Sequence, residues 1–174
     1  MRRNPDPDPA AEVVIPLSGS RMKLIARAIA GSSARWQDLV RMDPDTRWHL
    51  RLHSADDHDI WLESWLPGQE TGWHDHAGTS GVLVVARGEL EERISVLNGV
   101  MTQVRHIPEG AARRMRRRQV HHLANVSLAP AVSVHVYSPP LGATRSYELG
   151  AMGLMRSPWT EAGRRLATRR SRWP

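Results

Sequence analysis

Hydrophobic and polar residues alternate along much of the chain after residue 45, and this alternation predicts β-strands. In RWHLRLHS, residues 47–54, Trp48, Leu50 and Leu52 share one face, and histidine and arginine occupy the other. Such alternation is typical of a strand with one buried face. Further strand-like segments cover residues 59–67, 81–97, 99–110, 119–127 and 131–140. Glycine, proline and asparagine turns, including Arg87-Gly88 and Asn98-Gly99, separate them, so the sequence predicts a barrel or jelly roll of at least six short strands.

Before residue 46 the apolar residues do not alternate with polar ones but follow the three- and four-residue spacing of a helix. Ser20 precedes the first helix and Gly31 is a suitable stop. The apolar positions of this helix are Met22, Leu24, Ile25, Ala28 and Ile29. A second helix is predicted from Ser33 to residue 42, before Pro44.

The pattern divides the 174 residues into one domain with two flanking segments. Residues 1–19 contain four prolines and are expected to form a disordered lead. Residues 20–160 are expected to form the β-barrel domain with its helical prefix, the barrel beginning at about residue 46. Residues 161–174 form a basic C-terminal tail. The expected fold class is therefore mainly β.

Composition excludes several classes of function. The chain contains no cysteine, so it has neither disulfides nor cysteine ligands to a metal. It has no apolar run near 18 residues, and its first residues do not resemble a signal peptide, so we expect no membrane segment and a cytoplasmic protein. The net charge of +6 is concentrated in Arg113–Arg118 and in the tail. Because no aromatic residues that could stack on bases are interleaved with these arginines, a nucleic-acid surface is the less favoured interpretation.

Two histidines two positions apart are the first candidate for chemistry. GWHDHAG places His74 and His76 in an extended segment, where side chains at i and i+2 share one face about 6.5–7 Å apart. Two imidazoles at that spacing can converge on one metal ion. An isolated pair of this kind, in a chain with nine histidines, is more often two surface residues beside a turn.

The surroundings of the pair resemble the two sequence motifs of the cupin superfamily. Gly68 lies six positions before His74, and the second motif is matched by HHLAN, with His121 four positions before Asn125. The resemblance implies a jelly-roll β-barrel in which His74, His76 and His121 bind a metal. The glutamate that usually completes the first motif would fall at Gly81, so a site of three neutral histidines without a carboxylate is expected.

A third motif is similar to one in the cysteine dioxygenase type I family. In SVHVYSPP, Ser133, His135 and Tyr137 occupy alternate positions and hence one strand face. The family uses such residues as a hydrogen-bonded array beside its metal. Its mammalian members cross-link a cysteine to this tyrosine. Because that slot is Gly81 here, Tyr137 is expected to be uncrosslinked, as in bacterial relatives. The resemblance also makes Ser138-Pro139 a candidate cis peptide.

The same resemblance implies an arginine that binds the substrate carboxylate. A guanidinium group suits this role because it forms two parallel hydrogen bonds with a carboxylate. We assign Arg51, which shares a strand face with His49, the residue in a slot where the family often has tyrosine. Arg47 remains a second possibility because the alignment needs a small gap here.

The implied function is an Fe(II)-dependent thiol dioxygenase that oxidises L-cysteine to its sulfinate with O₂. The alternatives are a 3-mercaptopropionate dioxygenase and a non-catalytic metal-binding or ligand-sensing cupin. A three-histidine zinc hydrolase is a further rival. We expect the partners to be a small thiol and O₂, and the protein to be a monomer or a weak homo-oligomer.

Overall fold

The computed structural model describes residues 14–96, 101–150 and 153–157. Within these residues the chain forms one α-helix, two short 3₁₀ turns and eleven strands. The helical segments are α1 (Gly19–Ala30) and the 3₁₀ turns Ser33–Arg35 and Gln37–Leu39. The strands are β1 (His49–Ser54), β2 (Asp59–Trp65), β3 (Trp73–Asp75), β4 (Ser80–Arg87), β5 (Glu89–Val96), β6 (Met101–Pro108), β7 (Ala112–Met115), β8 (His121–Ala124), β9 (Ala131–Ser138), β10 (Arg145–Gly150) and β11 (Gly153–Arg156).

The strands form two antiparallel sheets that enclose a common interior. One sheet has five strands in the order β1-β2-β9-β4-β7, and the other has six in the order β11-β10-β3-β8-β5-β6. Six of the nine neighbouring pairs join strands that are not consecutive in the chain, as in a jelly roll. The predicted mainly-β fold with a helical prefix is confirmed, and every predicted strand segment contains an observed strand. Strand β3 lies in the extended segment expected around His74, whereas the short strands β7, β10 and β11 were not predicted individually.

Helix α1 covers the outer face of the five-stranded sheet. Met22, Ala26 and Ala30 are buried, and they pack in one cluster with apolar residues of β2, β4 and β9. The helix begins two residues earlier than the sequence pattern suggests, because Ser18 caps it by accepting a hydrogen bond from the Arg21 backbone N–H at 3.2 Å. Leu24, expected on the apolar face, is 60 % exposed.

The predicted second helix is wrong. Residues 33–39 form two 3₁₀ turns, and residues 40–42 are not helical. Trp36 supplies the reason, since its indole N–H donates to the Ile29 and Ala30 carbonyls at 3.1 and 3.3 Å, the end of α1. Its ring is only 2 % exposed. Burying this tryptophan against α1 favours tight turns over a continuing helix.

The predicted flanking segments fall partly outside the described residues. Residues 1–13 of the lead, residues 158–174, which contain the basic tail, and the Asn98-Gly99 hairpin lie there. Within the described part of the lead, the Leu17 backbone N–H donates to Ser138 Oγ at 2.8 Å, and the Leu17 side chain packs on the outer-face cluster. Among the described residues, no helix has the length and apolar character needed to span a membrane.

The arginine cluster spans the end of β7 and the turn that follows. Met115 between the arginines is fully buried. Arg113 donates to the His106 carbonyl at 3.1 Å, and Arg117 donates to the Gly78 carbonyl at 2.7 Å. At least two of these arginines therefore connect neighbouring segments of the barrel.

The interior between the sheets contains both apolar and ionisable residues. Trp61, Trp65, Leu83, Leu90 and Leu123 belong to its apolar cluster. The inner face of β9 presents Ser133, His135 and Tyr137, as the alternation predicts. The residues paired with these three across β2 are Glu63, Trp61 and Asp59, so polar groups of both strands enter the same space.

Candidate metal centre and the array beside it

Three histidines from the six-stranded sheet and the turn after β3 meet in the barrel interior. His74 in β3 pairs directly with His121 in β8, and His76 follows β3 by one residue. Their ring centroids lie 4.6–5.1 Å apart. One nitrogen of each ring lies within 4.8 Å of one nitrogen of each of the others. The predicted histidines therefore converge, and this geometry could hold one metal ion.

Hydrogen bonds fix the orientation of two of the three rings. The Nδ1 atom of His74 lies 3.2 Å from the Gly72 carbonyl, and Nδ1 of His121 lies 3.0 Å from Oε1 of Glu92. A carbonyl and a carboxylate can only accept, so both rings carry their proton on Nδ1 when neutral. The Nε2 lone pairs are then free, and Nε2 of His121 is buried without a hydrogen-bond partner in the described chain.

Burial also favours, for His74 and His76, the protonation state that a metal requires. Burial, followed by the neighbouring His121 and His76, lowers the pKa of His74 well below its ordinary value. Burial, followed by the neighbouring His121 and His135, does the same for the pKa of His76. Neutral imidazole is the metal-binding form. An orphaned nitrogen, convergent rings and neutral donors together fit a bound divalent ion.

The turn after His76 is held from outside the site. Asp75 accepts a hydrogen bond from the Ala77 backbone N–H at 2.7 Å and another from the Tyr147 hydroxyl at 2.6 Å. Ala77 has a positive φ of 50°, which is uncommon for a residue with a side chain. The Asp75 carboxylate thus joins this strained turn to β10, the neighbouring strand, and fixes where His76 enters the interior.

The serine, histidine and tyrosine of β9 form the chain of hydrogen bonds expected from the sequence. Ser133 Oγ lies 2.8 Å from His135 Nε2, and His135 Nδ1 lies 3.2 Å from the Tyr137 hydroxyl. The sequence analysis missed Trp65, whose indole N–H donates to Ser133 Oγ at 2.9 Å. All four side chains are buried.

The available donors and acceptors determine the direction of each hydrogen bond in this array. The indole N–H of Trp65 occupies a lone pair of Ser133 Oγ, and in the described chain the only other polar contact of this hydroxyl is His135 Nε2. Ser133 therefore donates to Nε2, and the proton on Nδ1 of His135 is donated to the Tyr137 oxygen. Burial lowers the pKa of His135 despite the opposing charge of Glu63, so the ring is neutral. The Tyr137 hydroxyl proton remains available to a group in the cavity.

Tyr137 connects the array to the three histidines. Its ring centroid lies 4.9 Å from that of His76. Burial, and then the charge of Glu63, raise the pKa of Tyr137 well above its ordinary value, so the phenol stays protonated. Gly81 pairs with Tyr137 across β4 and β9, and a Cβ atom there would lie 2.8 Å from the tyrosine ring. Ser138-Pro139 at the end of β9 is cis, as predicted.

An acidic residue that the sequence analysis missed lies beside the array. Glu63 in β2 is 9 % exposed, forms a salt bridge with Arg47, and lies 3.9 Å from His135 Nε2. Burial opposes its charge, but His135 and Arg47 outweigh that effect and lower the pKa of Glu63. Arg47 also lies 4.5 Å above the Trp65 ring. The ion pair of the buried Glu63 with the half-buried Arg47 thus occupies one side of the interior.

The two candidate arginines differ in their partners. Arg47 is engaged by Glu63, and its charge contributes to the lowered pKa of His74. Arg51 lies 5.4 Å above the Trp61 ring, and its closest acidic partner, Asp59, is 3.9 Å away. His49, on the same strand face as Arg51, lies 5.9 Å from Trp61 between ring centroids. Arg51 is therefore the less engaged of the two guanidinium groups.

Other residues singled out by sequence have structural surroundings. His122, the next residue after His121, lies on the opposite strand face, with Nε2 3.0 Å from Glu70 and its ring 5.7 Å from that of Trp73. Asn125 donates to the Trp65 and Ala129 carbonyls at 3.0 and 2.8 Å. These contacts hold the loop after β8 and do not involve the cavity.

Comparison with known proteins places this geometry in a family. A protein from Klebsiella pneumoniae with a double-stranded β-helix domain is similar at 22 % identity, with 62 % of this chain and 90 % of that chain covered and a TM-score of 0.55. A protein from Thermus thermophilus is 24 % identical, with 60 % and 93 % covered and a TM-score of 0.52. A cupin superfamily protein from Desulfitobacterium hafniense is 12 % identical, with 60 % and 87 % covered and a TM-score of 0.50. These likenesses show the cupin fold.

The family model for cysteine dioxygenase type I matches residues 19–149, from the first residue of α1 to the penultimate residue of β10. This range includes the three histidines, the array on β9 and both candidate arginines. The chain therefore belongs to the cysteine dioxygenase type I family, a cupin family of dioxygenase-type enzymes.

Proposed function

We propose that the protein binds ferrous iron through His74, His76 and His121 and oxidises a small thiol carboxylate to a sulfinate with O₂. The observation that carries the proposal is the meeting of three convergent imidazoles with the Tyr137 phenol, 4.9 Å from His76 between ring centroids. A purely structural metal site would not need a buried hydrogen-bonded tyrosine beside it.

The reaction is R–SH + O₂ → R–SO₂H, in which both oxygen atoms of O₂ become bonded to sulfur. The sulfur loses four electrons, and dioxygen takes up the same four, so no further reductant is required. When bound, ferrous iron would hold the thiol as its thiolate at neutral pH and allow dioxygen to react with it. Three neutral protein ligands leave up to three positions of an octahedral ion for the reactants.

The residues of the chain have separate tasks in this proposal. The Tyr137 hydroxyl donates its proton in a hydrogen bond to the bound substrate or oxygen, and it stays protonated because burial raises its pKa. His135 and Ser133 orient that hydroxyl. Arg51 binds the substrate carboxylate, and His49 borders the same position. The buried surroundings exclude bulk water, which strengthens each of these electrostatic contacts.

L-Cysteine is the proposed substrate, and 3-mercaptopropionate is the alternative that shares its thiol and carboxylate. The amine of cysteine offers a further ligand to the metal, and 3-mercaptopropionate lacks it. Values of kcat/KM for the two compounds, measured with the same iron-loaded protein, decide between them. We expect the higher kcat/KM with cysteine.

The test of the function is oxygen consumption by protein reconstituted with Fe(II) under anaerobic conditions. We expect stoichiometric uptake of one O₂ per thiol, with two oxygen atoms in the product by mass spectrometry. Zinc-loaded protein serves as the control and is expected to consume none. Iron-loaded protein that consumes no O₂ with either thiol would contradict the proposal and favour a ligand-sensing cupin.

The carboxylate contact is tested by replacing each arginine in turn. We expect Arg51→Ala to raise the KM for cysteine at least tenfold and to leave the KM for cysteamine, which lacks the carboxylate, within twofold. Arg47→Ala is the matched comparison, because its guanidinium is already paired with Glu63. A KM for cysteine that responds to Arg47→Ala and not to Arg51→Ala would transfer the role to Arg47.

A further inference from the structure

A buried carboxylate lies directly behind one of the three histidines. Glu92 is 0 % exposed, and its Oε1 atom lies 3.0 Å from Nδ1 of His121. The Gln119 side-chain amide donates to the same oxygen at 3.3 Å. Its other oxygen, Oε2, is buried without a hydrogen-bond partner among the described residues.

Glu92 occupies an inward position of β5 that its neighbours fill with apolar side chains. Leu90 and Ile94, two positions away on either side, are buried, and Glu91 and Arg93 between them face outward. Ile94 pairs with His121 and Glu92 pairs with Leu123, so Glu92 is the diagonal neighbour of His121 on the inner face. Sheet register alone therefore brings this carboxylate to His121.

A carboxylate at such a position is costly unless it has a compensating partner. Burial of an isolated charge is strongly unfavourable, and a neutral imidazole compensates it only in part. A divalent ion held by His121 through Nε2 would supply the missing positive charge. Carboxylate–histidine–metal arrangements of this kind fix the ring tautomer and raise the basicity of the ligand.

We propose that Glu92 is a positioning residue that holds His121 in the Nδ1–H form, with Nε2 aimed at the metal, and supplies the negative charge that the ligand set lacks. Position 81, where a cupin usually has a ligating glutamate, is glycine in this chain. The carboxylate of the site thus bonds to a ligand, His121, and would act on the metal only through that ring. This inference rests on the proposed metal site and adds a residue to it.

The direct test is divalent-ion affinity measured by chelator competition, with zinc or cobalt as the probe, so that dioxygenase activity is not needed. We expect Glu92→Leu to weaken binding about 10- to 100-fold. Glu92→Gln keeps an acceptor for Nδ1–H and loses the charge, so its affinity should fall between those of Glu92→Leu and the unaltered protein. Glu91→Leu, on the outer face of the same strand, is the matched control and should bind as tightly as the unaltered protein.

A second measurement separates positioning from a merely structural role. Nitrogen-15 chemical shifts of the histidines in metal-free protein report which ring nitrogen carries the proton. We expect His121 in the Nδ1–H form in the unaltered protein and in Glu92→Gln, and a mixture of forms in Glu92→Leu. Circular dichroism of the metal-free variants is expected to match that of the unaltered protein.

Distinct results would overturn this inference and the proposed function. Unaltered protein that binds no divalent ion would remove the metal site itself. Tight binding by the unaltered protein together with a folded Glu92→Leu variant that binds within twofold would remove only the role of Glu92. An Nε2–H form of His121 in the unaltered, metal-free protein would also contradict that role.

Discussion

At the scale of single residues, Gly81 decides how the site tyrosine is held. A Cβ atom at this position would lie 2.8 Å from both the Tyr137 ring and the Met115 methyl group, closer than side chains normally approach. The tyrosine ring therefore packs directly against backbone. Without a cysteine anywhere in the chain, its position depends on this packing, on His76 and on the His135 hydrogen bond.

The first prediction at this scale concerns Gly81→Ala. The added methyl group must displace Tyr137, since the Met115 methyl alone cannot relieve the contact. We expect a loss of about 1–3 kcal/mol in the free energy of unfolding and at least a tenfold lower kcat. Urea denaturation and oxygen-uptake assays measure the two effects.

Gly142→Ala is the control for that substitution, because a Cβ atom there meets nothing within 4 Å. It should leave both stability and kcat unchanged. Equal kcat values for Gly81→Ala and the unaltered protein would show that the position of Tyr137 is not critical.

At the scale of elements, the short strand β3 depends on its neighbours for its place. It has three residues and pairs with β8 through one residue pair, His74 and His121. Three further pairs join it to β10, among them Arg145 with Asp75. Pairing with β10 thus helps to determine where β3 lies, and β3 carries His74 of the metal site.

The prediction for this element is that Tyr147→Phe weakens metal binding. The substitution removes the 2.6 Å hydrogen bond to Asp75 and leaves the ring in place. Because the Asp75 carboxylate also holds the turn after His76, we expect a loss of about 3- to 10-fold in zinc affinity, smaller than the roughly 10- to 100-fold effect of groups that bond a metal ligand directly. Asp75→Ala removes both contacts and should have the larger effect, and the reverse order would contradict the argument.

At the scale of the whole molecule, buried neutral histidines make stability dependent on pH. Burial lowers the pKa of His74, His76 and His135 from their ordinary value of 6.5. Below that value the unfolded chain binds protons that the folded chain does not. The free energy of unfolding therefore falls as pH falls below about 6.5 and continues to fall until the folded-state values are reached.

We predict this loss for the metal-free protein. Each histidine contributes at most about 1.4 kcal/mol per pH unit, so the three together contribute at most about 4 kcal/mol per unit. Urea denaturation at pH 7.5, 6.5 and 5.5 measures it. The variant His74→Asn/His76→Asn should show a smaller slope, and an unchanged slope would assign the titration to other groups. The lowered pKa of Glu63 adds a separate loss only as pH falls below about 4.5.

Local pattern and motif spacing predicted much of the site. The i, i+2 spacing of His74 and His76, and of Ser133, His135 and Tyr137, places each set on one strand face whatever the rest of the fold does. The first helix after Ser20, the strand-rich remainder and the family followed from the same short segments, although the helix begins two residues earlier than predicted. The metal and array roles of these residues remain predictions that the experiments above test.

Sequence alone determined the strands and the spacing of the histidines, whereas only the tertiary structure decided which polar residues face inward. Every residue of β2 and of β9 is buried, because α1 covers one face of the sheet and the second sheet covers the other. Alternation then gives no signal for the cavity side, so Glu63 and Trp65 could not be assigned to it. Glu92 reaches His121, and Arg47 reaches Glu63, through pairings between distant segments. Such contacts depend on sheet register, which the sequence of one strand does not contain.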